Sequence, residues 1–235
     1  MRLGYRHTFI VGHSPDTVPG AADQEHCISV IAAGFGEDAA TLEFLRSALD
    51  DPSDAIRCVA LGGLGRRGAL SSQLAVAGLS DESPRVRQRA AQLVSLISEE
   101  GHPTAALRQA LRANLHDPVP LCTITALEAI GSIGDSEAVA EIIEVIRTTG
   151  DPLVHEEAIA TLAALGDRRG LPMVLAATEG RPPLRRRSVA ALGAFEGPEV
   201  EEALDRLSND RDWQVRQAVA MLRREELEQE PPEDL

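Results

Sequence analysis

The residues best suited to chemistry in this 235-residue chain are His155-Glu156-Glu157, with Glu128 one repeat earlier. Imidazole and carboxylate are transition-metal ligands, but a site needs several of them converging. The equivalent positions of neighbouring segments hold Arg57-Cys58, Arg87-Gln88 and Arg185-Arg186, so the ligand count fails. His7, His13, His102 and His116 are scattered. Gly63-Leu64-Gly65-Arg66-Arg67-Gly68 spells the dinucleotide fingerprint, which requires a strand before it and a helix after it. A helical pattern precedes it here, so it reads as a helix end and a turn. Cys27, Cys58 and Cys122 form no CxxC pair. Cys27 and Cys122 take positions that other segments give to aliphatics and read as small buried hydrophobes, while Cys58, on a more open helix position, is the first candidate for thiol reactivity. Nucleophile-elbow, HExxH and Walker A patterns are absent from the sequence. The expectation is a protein with no catalytic residue, no cofactor and no metal.

The elements that position these residues recur. Asp-Pro, then an aliphatic followed by Arg, then small and aliphatic residues ending in Leu-Gly, appears at Asp51-Pro52…Ile56-Arg57…Leu64-Gly65 and five more times. The anchor aliphatics (Cys in one copy) stand at 56, 86, 122, 154, 184 and 215, in steps of 30, 36, 32, 30 and 31. A divergent opening copy over residues 25–35 is anchored on Cys27. Such a period signals stacked helical pairs, none of which can bury its apolar face alone. Apolar residues at the anchor, +4, +8 and +11 make one helix face, and Ala at +4 lets neighbouring helices approach closely. A second helix type follows each Gly-rich break, as in Leu42, Leu45, Leu49 and Val139, Ile142, Ile143, Ile146. Asp before Pro is read as a helix start, and Gly65, Gly134, Gly166 and Gly197 as left-handed helix ends. The fold expected is an all-α, right-handed α-solenoid of about seven helical hairpins.

Asp151-Pro-Leu-Val-His-Glu-Glu-Ala-Ile-Ala-Thr-Leu-Ala-Ala-Leu-Gly-Asp167 and Leu184-Arg-Arg-Arg-Ser-Val-Ala-Ala-Leu-Gly193 resemble HEAT repeats. They are most similar to the short bacterial form named after phycobilisome lyase subunits. The resemblance covers residues 24–227. It implies that the anchored helices line a concave face and that Asp and Arg of successive repeats form an internal ladder. Asp54, Arg57, Asp81, Arg87, Asp151, Arg185, Asp212 and Arg216 match that pattern, with Cys122 and His155 in place of Arg in the two central copies. The iron-dependent hydroxylases of this repeat class, which carry several His-Glu pairs, are not matched by the single pair here.

Charge narrows the partners. Net charge is −14, and all 23 basic residues are Arg. An acidic body repels the phosphate backbone, and one Trp with one Tyr provides little for base stacking, so nucleic acid is excluded as the expected partner. No apolar run is long enough to span a bilayer or to serve as a signal-peptide core, so neither a membrane nor export is expected. The chain is read as a cytoplasmic bacterial monomer. It divides into a mobile N-terminal arm (1–22), a repeat solenoid (23–228) and an acidic disordered tail (229–235).

Positions +2, +3 and +6 of the anchored helices fall off the apolar stripe and supply the candidate contact surface: Arg89, Gln92, Thr125, Glu128, Glu156, Glu157, Arg186 and Arg187, with His155 beside them. Such a surface suits an extended peptide or a partner helix. The reading is a non-enzymatic scaffold that binds a protein with a basic surface on its concave face. The alternatives are a bilin lyase-like, enzyme-associated subunit, implied by the resemblance, and a binder that neutralises a basic toxin.

Overall fold

The computed structural model describes residues 21–97 and 103–229; the N-terminal arm up to residue 20 and the tail from residue 230 lie outside them. Thirteen α-helices follow one another without a strand among the described residues. The anchored helices are α1 (Ala21–Ala33), α3 (Asp54–Arg66), α5 (Pro84–Gln92), α7 (Pro120–Ile133), α9 (Pro152–Leu165), α11 (Pro182–Leu192) and α13 (Trp213–Gln229). Between them run α2 (Ala39–Ser47), α4 (Ser72–Leu79), α6 (Ala105–Asn114), α8 (Val139–Thr148), α10 (Leu171–Ala177) and α12 (Pro198–Leu207). No described helix is long and apolar enough to cross a membrane.

The odd helices stack in chain order, each against the next, while among the even helices only α4 and α6 pack closely on one another. A layer held tight on one side and splayed on the other curves, so the odd helices form the inner, concave layer. The close packing comes from the +4 position: Ala60, Ala90, Ala126, Ala158 and Ser188 are all fully buried there. Ser188 satisfies its hydroxyl on the Arg185 carbonyl at 2.7 Å. Leu64, Ile130 and Leu162 at +8 fill the core between the two layers, and truncation of one such side chain to Ala costs roughly 2–5 kcal/mol.

Two of the four glycines expected as helix ends have that role. Gly134 (φ 67°) and Gly166 (φ 61°) close α7 and α9 in the left-handed conformation. Gly65 lies inside α3, where a Cβ would stand 3.3 Å from Leu93, so it is a packing glycine; the left-handed residue is Gly68. Gly197 precedes α12. The apolar offsets from the anchor at Val86 run to Ile97, but α5 ends at Gln92 and the chain tightens into a 3₁₀ turn, with Leu96 N–H on the Leu93 carbonyl at 2.9 Å.

A ladder of ion pairs runs along one edge of the stack. Arg57 grips Asp81 with Nε and Nη2 at 2.8 and 2.7 Å while its Nη1 donates to the Asp51 carbonyl at 2.8 Å. Arg87 does the same to Asp117 (2.6 and 3.0 Å) and the Asp81 carbonyl (2.9 Å). Arg185 grips Asp210 at 2.8 Å through both nitrogens. Burial would raise Asp81 and Asp117, but the guanidinium and a backbone N–H outweigh it, so both carboxyls stay below their ordinary value. Arg185 leads in lowering Asp210. Bidentate, charge-assisted pairs of this kind fix geometry as well as energy.

The membership of the ladder differs from the expectation. Asp54 pairs with Ser83 and Arg85 instead. Asp151 is an N-cap, accepting from Leu153 and Val154 N–H at 2.8 and 3.3 Å. Asp212 accepts from Gln214 N–H. The ladder carboxylates Asp51, Asp81, Asp117 and Asp210 each also accept the N–H two residues on. At the central junction Thr149 takes that place, its hydroxyl accepting from Asp151 N–H at 3.1 Å. The residue in the arginine register of α7 is Thr123, whose hydroxyl reaches the Asp117 carbonyl at 3.4 Å; Cys122 is the buried anchor. His26 with Asp51 (3.1 Å) forms the opening rung, two residues before the arginine register that an anchor at Cys27 implies.

Candidate functional site

The inner helices bring three of the expected contact residues into one line. Glu128 on α7, Glu157 on α9 and Arg187 on α11 occupy successive helices of the concave face, and Arg187 Nη2 donates to Glu157 Oε2 at 3.3 Å. Burial pushes the Glu157 carboxyl above its ordinary value; Arg187 opposes that shift and the neighbouring Glu128 adds to it. Beside this line, Arg181 donates to Glu156 Oε1 at 2.7 Å, and Arg186 donates to Gln214 Oε1 at 2.7 Å. The centre of the face therefore holds the half-buried Glu156 and Glu157 with the exposed Glu128, flanked by exposed arginines from α11.

The remaining candidates are distributed differently. Thr125 is 3% exposed and its hydroxyl donates to the Leu121 and Cys122 carbonyls at 3.1 and 3.0 Å, so it is unavailable to a partner. Its polarity serves its own helix. His155 occupies the ladder register of α9, half-buried; burial and then Arg181 lower its basicity, against Glu156. Gln92 is exposed at the last residue of α5. Arg89 lies toward the N-terminal end, where its guanidinium covers Gly62 so closely that a Cβ there would be 2.7 Å away. It helps line a cavity of about 250 Å³ with Ile31, Cys58, Val59, Gly62 and Arg66.

Two further features were invisible to sequence reasoning. Asp135 is fully buried and receives Arg112 bidentately at 2.8 and 2.7 Å, tying α6 to the turn between α7 and α8. Arg108 approaches the same carboxylate at 3.6 Å. The only available signal was an acid directly after the left-handed Gly134. Where α6 and α8 splay apart, a wide groove of about 840 Å³ opens on the outer side, lined in part by Arg108, Arg112, His116, Glu137 and Glu141.

Thiol chemistry has little support. Cys122 is buried with its thiol directed at the Pro84 carbonyl (3.3 Å), and burial raises both Cys122 and Cys58, holding them as thiols at neutral pH. Among the described residues no three His, Cys, Asp or Glu side chains converge to hold a metal.

A family model of HEAT repeats matches residues 104–190. The chain is 31% identical over 149 residues to the uncharacterized phycocyanin operon protein Z of Pseudanabaena tenuis, a match covering 59% of this chain and 70% of that protein. Among solved structures it shares its fold with the CpcE–CpcF complex of phycocyanin lyase from Nostoc sp. (TM-score 0.50, 18% identity, 95% of this chain and 93% of that one). It is also similar to the Escherichia coli protein YibA (TM-score 0.58, 14% identity, 88% of this chain and 76% of that one). The stacked hairpins, the edge ladder and these matches have one reading: the chain is a HEAT-repeat protein and belongs to the family of phycocyanin operon protein Z.

Proposed function

We propose that this protein is a non-enzymatic, intracellular scaffold that holds a basic segment of a partner protein against the concave faces of α7, α9 and α11. The observation that carries the reading is the Glu128–Glu157 pair. A half-buried carboxyl beside a second carboxylate gains from a basic partner group, and burial keeps Glu157 above its ordinary value despite Arg187. Arg186 and Arg187 flank the acids and would register the partner by repelling misplaced basic residues. The test is affinity capture from the native host with the wild-type protein and with a Glu128→Arg/Glu157→Arg variant. The expected result is a protein retained by the first and lost by the second. Identical captured sets would contradict it.

A second reading is supported by the likeness to phycocyanin operon protein Z: a lyase-type subunit acting with another chain on a bilin-bearing protein. Incubation with bilin, an apo-phycocyanin subunit and candidate second subunits separates the two. A coloured covalent adduct favours the lyase reading, and an unchanged spectrum removes it.

A further inference from the structure

The cavity shared by α1, α3 and α5 is opposite in sign to the acidic centre. Cys58, Gly62 and Arg66, four residues apart, form one face of α3 along it, with Ile31 of α1 on one side and Arg89 of α5 on the other. Among the described residues neither arginine meets a carboxylate. Arg66 lies over the Phe35 ring at 4.3 Å and donates to the Gly34 carbonyl at 3.5 Å. Arg89 is held against α3 by the absence of a side chain at Gly62, where a Cβ would stand 2.7 Å from Nη2. The acids that act on Cys58 together with Arg85 and Arg89 are Asp54 and Asp81. Both are committed, Asp54 to Ser83 and Arg85 and Asp81 to Arg57. A protein of net charge −14 thus sets two uncompensated guanidiniums on one small, partly apolar cavity.

We propose that this cavity is a carboxylate subsite of the concave surface: it receives an Asp or Glu side chain of the partner protein, its carboxylate held by Arg89 and Arg66 and its stem against Ile31 and Val59. That the acid belongs to the partner seated on the acidic centre rests on the proposed function; the preference of the cavity for a carboxylate does not. Charge complementarity chooses the occupant, and size agrees. The cavity holds about 250 Å³, below the roughly 300–1,000 Å³ of small-molecule pockets, which suits one side chain. Position adds a spacing rule. The α3–α5 pair lies two inner-helix steps of about 8–10 Å from the α7–α9 pair that carries Glu128 and Glu157. An extended partner chain covers that distance in about five or six residues. The segment recognised is therefore charge-segregated, with its acid over α3 and α5 and its base over α7 and α9.

The native Cys58 reports on the cavity. The full chain is alkylated above about pH 8, where thiolate forms readily, with iodoacetate and separately with iodoacetamide, and the rate at Cys58 is read by peptide mass spectrometry. Both reagents attack the same thiolate, so the ratio of their rates cancels its basicity and leaves the preference for a carboxylate. In the folded protein the iodoacetate-to-iodoacetamide ratio should be about fivefold above that of the urea-unfolded chain. In an Arg66→Gln/Arg89→Gln variant it should fall to the unfolded value, with the buried Cys122 still unlabelled as the mark of an intact fold. A folded ratio equal to the unfolded one, or one that the variant leaves unchanged, would overturn the proposal. In the complex isolated from the native host, iodoacetamide should label Cys58 about tenfold more slowly than in the free protein. Full reactivity of Cys58 beside hydrogen-exchange protection of α7 and α9 would sink the subsite and leave the acidic centre standing. Protection of Cys58 without protection of those helices would support the subsite and remove the acidic centre. Slowing that grows with the concentration of the isolated protein would identify a second copy as the occupant and overturn the proposal.

Discussion

Thr123 of α7 and Thr149 before α9 line one cavity of about 230 Å³, at the junction where the two preceding repeats set an arginine against an aspartate. Both members of the rung are neutral. Thr123 keeps the contact to the carbonyl six residues back, and Thr149 keeps the turn-forming hydrogen bond two residues on. The rung keeps the local geometry of the charged rungs with a hydroxyl in place of each charge.

That relationship predicts a strong coupling. Thr123→Arg alone places a cation opposite a hydroxyl, and Thr149→Asp alone places an unpaired carboxylate there. The double variant recreates the bidentate rung. In a double-mutant cycle by urea unfolding, the two changes should show a favourable interaction of roughly 1–3 kcal/mol. Additivity within about 0.3 kcal/mol would show that the register assigned here is wrong.

The charged rungs should fail with acid. Asp81, Asp117 and Asp210 are held below the ordinary carboxylate value, so their contribution is complete above the unfolded value near pH 4 and is lost as pH falls through the lower folded value. Arg87→Met leaves Asp117 buried without its cation and should cost roughly 2–4 kcal/mol at neutral pH. Its deficit should shrink as Asp117 protonates. A deficit equal at about pH 7 and about pH 3.5 would argue that Arg87 acts by packing alone.

The helices, their alternation and the Ala-lined contacts were legible in the sequence because they follow from spacing along one element. The partners across elements were not. Arg57 meets an acid 24 residues on and Arg87 one 30 residues on, because the loops between differ in length. The same uneven spacing, a 36-residue step into α7, hid the fact that Thr123 and not Cys122 stands in the arginine register. Asp151-Pro152 looked like the other Asp-Pro pairs, but there Pro directly opens the helix, which makes Asp151 a cap. Periodicity sets Thr125 off the apolar stripe, but its burial and its backbone hydrogen bonds escape a polarity pattern.

His155 gives a second, separate pH dependence. Its folded value is lowered by burial and Arg181, so the unfolded chain binds the proton more readily, and stability falls as pH drops below the unfolded value near 6.5. His155→Gln removes this. Between about pH 7.5 and about pH 5.5 its melting temperature should fall less than that of the wild type, by roughly 1–2 °C. Parallel melting curves would exclude His155 as the source.

Glu157 has the opposite sign. An acid whose folded value is raised costs stability while ionised, and that cost disappears as pH falls and the carboxyl takes up its proton. Glu157→Gln should therefore raise the melting temperature at neutral pH by roughly 1–2 °C and leave it unchanged near pH 4. A wild type already more stable than the variant at neutral pH would mean that Arg187 more than offsets the burial.

The most direct measurement is hydrogen exchange on the complex isolated from the native host, compared with the free protein. New protection is expected on α7, α9 and α11 around Glu128, Glu157 and Arg187, and it should weaken with salt as an ion-paired contact does. Protection confined to the outer helices α6 and α8, or a footprint insensitive to salt, would contradict the assignment of the acidic concave centre as the binding surface.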